Sequence, residues 1–195
     1  MAQVSAFILA GGRSSRMGRD KAFLQLGGRT LLDRALEVAR AVAAEVRIAG
    51  QKEKFAAYAP VVEDVYPGRG PLAGIHAALR SSTTELNLVL GVDTPYVDPA
   101  FLRYLIGQAE ASGAVVTVPR IGAKYEPLCA VYRRQFAQLA EQSLQAGRNK
   151  IDPLFEKTSL RIVDEAELRM LAFDREMFDN LNTPEEWEQA RKRQP

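Results

Sequence analysis

Apolar runs of strand length alternate with longer segments of helical period along most of the chain. The first run, Val4–Leu9, is apolar at all but one position, which is typical of a strand covered on both faces of a sheet. It ends at the glycine pair Gly11 and Gly12. Further strands are predicted at residues 45–49, 61–62, 87–91, 114–118, 127–132 and 160–163.

The segments between these runs carry the signals of amphipathic helices. Thr30 stands as an N-cap before apolar residues spaced along one helix face, and Pro71 and Pro99 suit the first position of two later helices. Helices are predicted at residues 31–42, 53–58, 72–80, 99–111, 135–146, 151–157 and 184–191. The alternation predicts an α/β protein of three layers, Rossmann-like, with a mostly parallel sheet and helices on both faces.

Length and composition narrow the class of protein. The 195 residues, 47% of them hydrophobic, suit one globular domain with a sizeable core. The single cysteine, Cys129, excludes an internal disulfide and favours a reducing compartment, the cytoplasm. The single histidine, His76, excludes a His-rich metal site. Residues 4–10 are too few to span a membrane and lack a basic flank, so we expect neither a signal peptide nor a membrane association.

The basic surplus is concentrated in one segment. The chain has 26 Lys and Arg against 24 Asp and Glu, a net charge of +2. Between residues 13 and 21, four basic residues face one acid, a surplus of three that exceeds the net charge of the whole chain. Because no broad basic face with interleaved aromatic residues is predicted, we expect no nucleic-acid partner.

That segment belongs to a glycine-rich and cation-rich loop, LAGGRSSRMGRDK at residues 9–21, which follows the first strand. Ligands of open α/β sheets bind outside the carboxyl ends of strands, where this loop lies. The small residues that let a phosphate approach the backbone are Ala10, Gly11 and Gly12. The side chains that can donate charge-assisted hydrogen bonds to a polyphosphate are Arg13, Arg16 and Lys21. The loop is neither a Walker A nor a GxGxxG motif, and a solvated turn is the weaker alternative.

Asp93 follows the strand predicted at residues 87–91. Mg²⁺ is commonly held by one or two carboxylates together with substrate phosphate oxygens, so Asp93 is a candidate ligand. Capping of the following Thr94-Pro95 turn is the alternative. A polyphosphate loop nearby favours the metal. At Gly74 the helix start could bind an anion, but close packing of small residues is the favoured interpretation there.

The loop at residues 9–21 resembles the signature of the molybdenum cofactor guanylyltransferases, the molybdopterin-guanine dinucleotide biosynthesis protein A family. Further blocks follow in the order of that family: ED at 63–64, GPLAG at 70–74, DTPY at 93–96, LQAGR at 144–148 and NLNTPEE at 180–186. The resemblance covers nearly the whole chain. It implies a single nucleotidyltransferase domain over residues 1–195, with a nucleotide-binding part at about 1–98 and an acceptor-binding part at about 99–195.

The activity implied by the resemblance is transfer of GMP from GTP to Mo-molybdopterin with release of pyrophosphate, with Mg²⁺ as cofactor. A related enzyme that uses CTP on molybdopterin, or that acts on a sugar or alcohol phosphate, is the nearest alternative. A non-catalytic nucleotide-binding regulator is an alternative from another class. The resemblance also allows contacts with other proteins of molybdenum cofactor biosynthesis or with acceptor proteins, by a monomer or weak oligomer.

The residues and the resemblance together assign a candidate site. Catalytic roles fall to Lys21, Arg16 and Asp93. Nucleotide binding falls to Leu9, Ala10, Gly11, Gly12, Arg13, Lys21, Asp64, Gly74 and Asp93. The resemblance implies that Asp64 contacts the guanine nucleotide and that Asn182 joins Asp93 at the metal, with capping of the last helix as the alternative for Asn182. Ala49 departs from the family, which tends to have Asn at that place, whereas the Gly11-Gly12 pair resembles the guanine-using members.

Overall fold

A central sheet with helices on both faces organises the protein. The computed structural model describes residues 3–11, 20–181, 183, 186–188 and 190. The strands in chain order are β1 (Val4–Leu9), β2 (Gln25–Leu26), β3 (Arg29–Thr30), β4 (Glu45–Ala49), β5 (Val61–Val62), β6 (Leu86–Gly91), β7 (Val116–Ile121), β8 (Lys124–Tyr125), β9 (Cys129–Arg133) and β10 (Leu160–Asp164). Strands β2 and β3 form a small separate hairpin.

Helices and two hydrophobic clusters complete the three layers. The helices are α1 (Leu31–Arg40), α2 (Lys52–Phe55), α3 (Pro71–Ser81), α4 (Pro99–Ser112), α5 (Phe136–Gln145), α6 (Asp152–Phe155) and α7 (Glu165–Met170), with 3₁₀ segments at Lys21–Phe23 and Arg175–Phe178. One cluster includes buried apolar residues of α1 and α4, and the other includes buried apolar residues of α3 and α5. The predicted three-layer α/β architecture is confirmed.

Strand polarity decides which loops meet. The order across the sheet is β10-β7-β9-β6-β1-β4-β5, with β8 paired to β7. Strand β1 runs parallel to both β4 and β6, while β9 runs antiparallel to its neighbours β6 and β7. The carboxyl ends of β1, β4, β5, β6 and β7 therefore lie along one edge, the carboxyl edge. Because β9 is reversed, its first residues lie at that edge too.

Local signals fix several element ends as predicted. The Thr30 side chain accepts a hydrogen bond from the Asp33 N–H, and the Asp33 carboxylate accepts one from the Thr30 N–H, which forms a capping box at α1. Helix α4 begins at Pro99 and ends at Ser112, and the next residue, Gly113, has a φ of 66°, the left-handed conformation that glycine adopts without strain.

Other boundaries were predicted wrongly. The helix expected at 53–58 ends at Phe55, because the Tyr58 N–H donates to the Phe55 carbonyl in a tight turn. The strand expected at 114–118 runs from Val116 to Ile121, because its ladder with β10 starts at Val116, which lies opposite Leu160. The strand expected at 127–132 starts at Cys129, because the Cys129 N–H closes a turn onto the Glu126 carbonyl.

Strand β8 and helix α7 were not predicted at all. Of the last predicted helix, residues 186–188 and 190 are helical and the rest lies outside the described residues. Within the described ranges, no helix combines the length and apolar character needed to cross a membrane.

A candidate active site at the carboxyl edge

The crevice where the strand order switches direction lies at the end of β1, between β4 and β6. The Ala10 N–H donates to the Ala49 carbonyl at 3.1 Å, and the Val92 N–H donates to the Leu9 carbonyl at 3.2 Å. These bonds extend the sheet by one residue, so backbone donors free of the sheet can start only at Gly11. A Cβ atom at Gly11 would approach the Ala49 carbonyl no closer than 3.9 Å, so this position has room.

Three of the predicted loop residues, Gly12, Arg13 and Arg16, lie outside the described residues, as does Asn182. The loop's far end is described. Lys21 begins the 3₁₀ segment, whose first turn is capped by the Asp20 carboxylate accepting from the Ala22 N–H at 3.2 Å. Since Ala22 is fully buried, this turn is anchored in the core and orients the lysine that precedes it.

Lys21 and Asp93, predicted separately from two loops, lie together. The Lys21 Nζ is 3.6 Å from Asp93 Oδ2, and the two side chains are 19% and 23% exposed. An ammonium beside a carboxylate in a partly enclosed crevice is an arrangement that can hold a phosphate chain and its counter-ion together.

A second set of contacts attaches residues 20–23, the 3₁₀ segment and its cap, to α2. The Lys54 Nζ donates to Asp20 Oδ2 at 2.9 Å, and the ring of Phe23 stacks on Phe55 with centroids 5.7 Å apart. Phe55 in turn packs tightly on Gly50, where a Cβ atom would lie 2.9 Å from its ring. Helix α2 therefore supports the loop end from the side opposite to Asp93.

Asp93 is held by its neighbours in sequence and by the C-terminal part of the chain. The Thr94 hydroxyl donates to the Gly91 carbonyl at 3.0 Å, and the Leu181 N–H donates to the Asp93 carbonyl at 3.1 Å. This bond brings Leu181 beside Asp93, whereas the role predicted for Asn182 falls on a residue outside the described ones. A Cβ atom at Gly91 would lie 2.8 Å from Asp93 Oδ1, so Gly91 leaves the space that this carboxylate occupies. Sequence reasoning missed Gly91, although a glycine ending the strand before Asp93 was a visible signal.

The donor set around Asp93 suits a metal that shares its ligands with substrate. Among the described residues no group of three or more His, Cys, Asp or Glu side chains could enclose an ion. A single carboxylate of limited exposure fits Mg²⁺, which commonly takes one or two carboxylates and completes its shell with waters and phosphate oxygens.

Asp64 and Gly74 lie on the β4–β5 side of the crevice. A Cβ atom at Gly74 would lie 3.2 Å from the Leu9 side chain and 3.8 Å from Asp64 Oδ1. Gly74 therefore lets α3 pack closely on the end of β1, as the favoured interpretation expected. Burial raises the pKa of Asp64 above the ordinary value of a carboxyl group.

On the other side of Asp93 the edge opens into a cavity of about 570 Å³. Its lining residues are Tyr96, Ile121, Lys124, Glu126, Arg175, Phe178, Asp179, Asn180, Leu181, Glu186 and Ala190. Glu126 was also missed from the sequence, where Glu-Pro before a strand indicates only a turn. Burial, reinforced by the charge of Asp93 and opposed by Lys124, raises the pKa of Glu126.

Comparison with known proteins places the chain in a family. The MobA-like NTP transferase domain family matches residues 6–160. The chain belongs to the MobA-like NTP transferase family. A probable molybdenum cofactor guanylyltransferase of Pelotomaculum thermopropionicum is 39% identical over 98% of this chain and 93% of its own length. A molybdenum cofactor guanylyltransferase of Desulfosudis oleivorans is 37% identical, with 97% and 95% covered.

A crystal structure of molybdopterin-guanine dinucleotide biosynthesis protein A from Archaeoglobus fulgidus superimposes with a TM-score of 0.85 at 28% identity, covering 96% of this chain and 97% of the other. The family resemblance inferred from the sequence and the fold class are both confirmed. As a member of the MobA-like NTP transferase family, the chain is a nucleotidyltransferase.

Proposed function

We propose that this nucleotidyltransferase transfers GMP from GTP to Mo-molybdopterin, releasing pyrophosphate and forming molybdopterin guanine dinucleotide. The observation that carries the proposal is the Lys21–Asp93 pair, 3.6 Å apart at the switch point of the sheet. Its support from the comparisons is that relatives aligned over nearly the full chain are named molybdenum cofactor guanylyltransferases.

The proposed reaction needs little acid–base chemistry from the protein. A terminal phosphate oxygen of the acceptor attacks the α-phosphorus of GTP, the bond to the β-phosphate oxygen breaks, and pyrophosphate leaves with that electron pair. The attacking oxygen is ionised near neutral pH, so catalysis rests on positioning and on charge stabilisation. In agreement with this, the single histidine, His76, is buried in α3 with 1% exposure and is not among the residues around Asp93.

Within this proposal the cations after β1 bind the triphosphate. Lys21, with Arg16 and Arg13, stabilises the charge that develops on the departing pyrophosphate. The backbone N–H groups from Gly11 onward, through Gly12, approach the phosphates, while Ala10 is already bonded to the sheet. Asp93 and Asn182 would hold Mg²⁺, and that ion would supply charge neutralisation for the phosphate oxygens.

The β4–β5 side of the crevice would receive the guanine. Leu9 and Gly74 form a close-packed surface there, and Asp64 is the acceptor for the N–H donors of the base. The half-buried Asp64 carboxylate, whose pKa is raised by burial, would regain in these hydrogen bonds part of the solvation that it loses in the fold. The nucleotide then occupies the part of the domain at about 1–98, and the acceptor the part at about 99–195. The buried single cysteine, Cys129, suits a cytoplasmic enzyme.

The test is pyrophosphate release by the purified protein with each of the four nucleoside triphosphates and each class of acceptor, with and without Mg²⁺. We expect release with GTP and Mo-molybdopterin, loss on chelation, and recovery when Mg²⁺ is returned. A preference for CTP, or for a sugar phosphate, would reassign the enzyme within its fold family. GTP binding without release for any acceptor would favour the regulatory alternative.

A further inference from the structure

The cavity beside Asp93 has the size of a small-molecule site and adjoins the residues of nucleotidyl transfer. Its volume of about 570 Å³ falls in the usual range of small-molecule sites. Leu181 both lines this cavity and donates its backbone N–H to the Asp93 carbonyl, so the cavity adjoins the site of transfer. A ligand in the cavity can therefore extend its phosphate to Asp93 and Lys21 while its remaining atoms lie among the cavity residues.

Glu126 is the buried charged residue among the described residues that line this cavity, with 8% of its surface exposed. Its backbone is fixed at both ends: the Glu126 N–H donates to the Pro119 carbonyl at 2.9 Å, and the Glu126 carbonyl accepts from the Cys129 N–H at 3.0 Å. The Glu126 side chain therefore projects from a fixed turn between β8 and β9. Such a side chain is a positioned hydrogen-bond acceptor rather than a mobile surface group.

The charge of Glu126 is only partly compensated. Its Oε1 accepts a hydrogen bond from the Lys124 Nζ at 2.9 Å, but the Lys124 side chain is 66% exposed and largely hydrated. Burial and the nearby charge of Asp93 both disfavour the ionised carboxylate. The Lys124 ammonium is one donor to this carboxylate. A ligand that brings N–H donors to Glu126 would therefore add hydrogen bonds to a buried acceptor.

We propose that Glu126 is a specificity-determining residue that accepts hydrogen bonds from two adjacent N–H donors of the acceptor. Donors of this kind are the ring N–H and the exocyclic amino group of a 2-amino-4-oxo pyrimidine ring, as in a pterin. The two oxygens of a carboxylate match two parallel donors in the fork geometry that guanidinium groups also use. The inference rests on the proposed function, because it assumes that the cavity receives the acceptor of nucleotidyl transfer.

The first test is Glu126→Gln, which keeps the shape of the side chain and replaces one acceptor oxygen by a donor. The matched control is Glu85→Gln, because Glu85 directly precedes β6 at the opposite edge of the sheet and is 59% exposed. Since hydrogen bonds to a charged group are worth more than neutral ones, we expect the KM for molybdopterin to rise about 10- to 100-fold in Glu126→Gln. The KM for GTP should stay within about twofold, and Glu85→Gln should match the wild type in both constants.

The first part of the second test uses the wild type alone. Competitive inhibition of the wild type by 6-hydroxymethylpterin is compared with that by 6-hydroxymethyllumazine, which carries a carbonyl oxygen in place of the amino group. A site built to bond the amino group should reject the lumazine strongly, and Glu126→Gln should narrow the difference. If the wild type shows no preference for the pterin, or Glu126→Gln leaves both the acceptor KM and this preference unchanged, the role of Glu126 is overturned.

These outcomes are separable from a failure of the proposed function. If the wild type releases no pyrophosphate from GTP with Mo-molybdopterin, the proposed function fails, and the inference about Glu126 fails with it. If the wild type is active and Glu126→Gln behaves as the wild type, only the inference fails. Should Glu126→Gln fold poorly, as judged by its thermal unfolding, the pterin and lumazine comparison on the wild type decides.

Discussion

Replacing Gly91 by alanine tests whether the position of the Asp93 carboxylate is set by the end of β6. The added Cβ atom would lie 2.8 Å from Asp93 Oδ1 and 3.4 Å from the Leu128 Cβ. The end of β6 cannot easily shift away from Asp93, because the Gly91 N–H donates to the Leu128 carbonyl at 2.7 Å. The easier relief is rotation of the Asp93 side chain, whose oxygen must move by at least about 0.6 Å to reach the 3.4 Å of ordinary van der Waals contact.

The expected effects on activity and stability differ in size. Misplacing a reacting or positioning group by about 1 Å can lower turnover about 100-fold, so we expect kcat/KM to fall by about one to two orders of magnitude. Added methyl groups in tight sites cost about 1–3 kcal/mol of folding free energy. Because the clash here is with the end of a side chain that can move, we expect Gly91→Ala to lose about 1 kcal/mol of folding free energy, the lower end of that range.

The assay is pyrophosphate release over a range of GTP and Mg²⁺ concentrations, together with denaturant unfolding. Gly107→Ala is the matched control, because Gly107 lies inside α4 and an added Cβ atom would meet nothing within 4 Å. We expect this control to gain about 0.5–1 kcal/mol of stability with unchanged activity, since alanine is the better helix former. If Gly91→Ala retains the activity of Gly107→Ala, the carboxylate is not positioned by this contact and the reasoning is refuted.

Three further predictions concern single side chains. Lys21→Met should lower kcat about 100- to 1,000-fold with little change in thermal unfolding, because a donor to the leaving group is lost; a kcat near that of the wild type would contradict its role. Asp64→Asn should weaken GTP binding, measured by calorimetry, while flattening the pH dependence of stability. Burial raises the pKa of Asp64 in the fold, so the folded state holds its proton more tightly and stability declines as pH rises from the ordinary carboxyl value through the raised one. If the unfolding free energies of Asp64→Asn and the wild type decline equally between pH 4 and pH 7, the raised pKa of Asp64 does not contribute to stability. Thr30→Ala should lose about 1 kcal/mol of unfolding free energy through its capping box, with activity unchanged.

The parts of the fold that the sequence predicted are those with strong local signals. The apolar run of β1, the Thr30 cap and the left-handed Gly113 each act over a few neighbouring residues, so their elements could be recognised without knowledge of the rest. Strand β8 has two residues and exists only because it pairs with the end of β7. Helix α7 has six residues and starts at the Asp164 cap that ends β10. Both depend on where β7 and β10 lie in the sheet, which no local pattern records.

The same distinction separates the predicted from the missed site residues. Asp93 and Lys21 could be predicted as neighbours because both follow strands that are parallel, and the ends of parallel strands share one edge. Gly91 carries no chemistry of its own, and its importance is the absence of a side chain opposite Asp93. Glu126 precedes a strand, which in a wholly parallel sheet would place it at the opposite edge, far from any ligand.

The reversal of β9 is therefore what makes the site two-sided. Because β9 is antiparallel to β6 and β7, the chain enters this strand at the carboxyl edge and carries Glu126 and Leu128 to the side of Asp93 away from Lys21. The nucleotide side is built from loops that leave β1, β5 and β6, whereas the cavity side is built from the loop that enters β9 and from the returning segment at Leu181. Among the described residues, the two sides meet at Asp93, which pairs with Lys21 on one side and bonds to Leu181 on the other. Substitutions in the cavity should consequently change the KM for the acceptor without changing the affinity for GTP, and substitutions at Asp93 should change both.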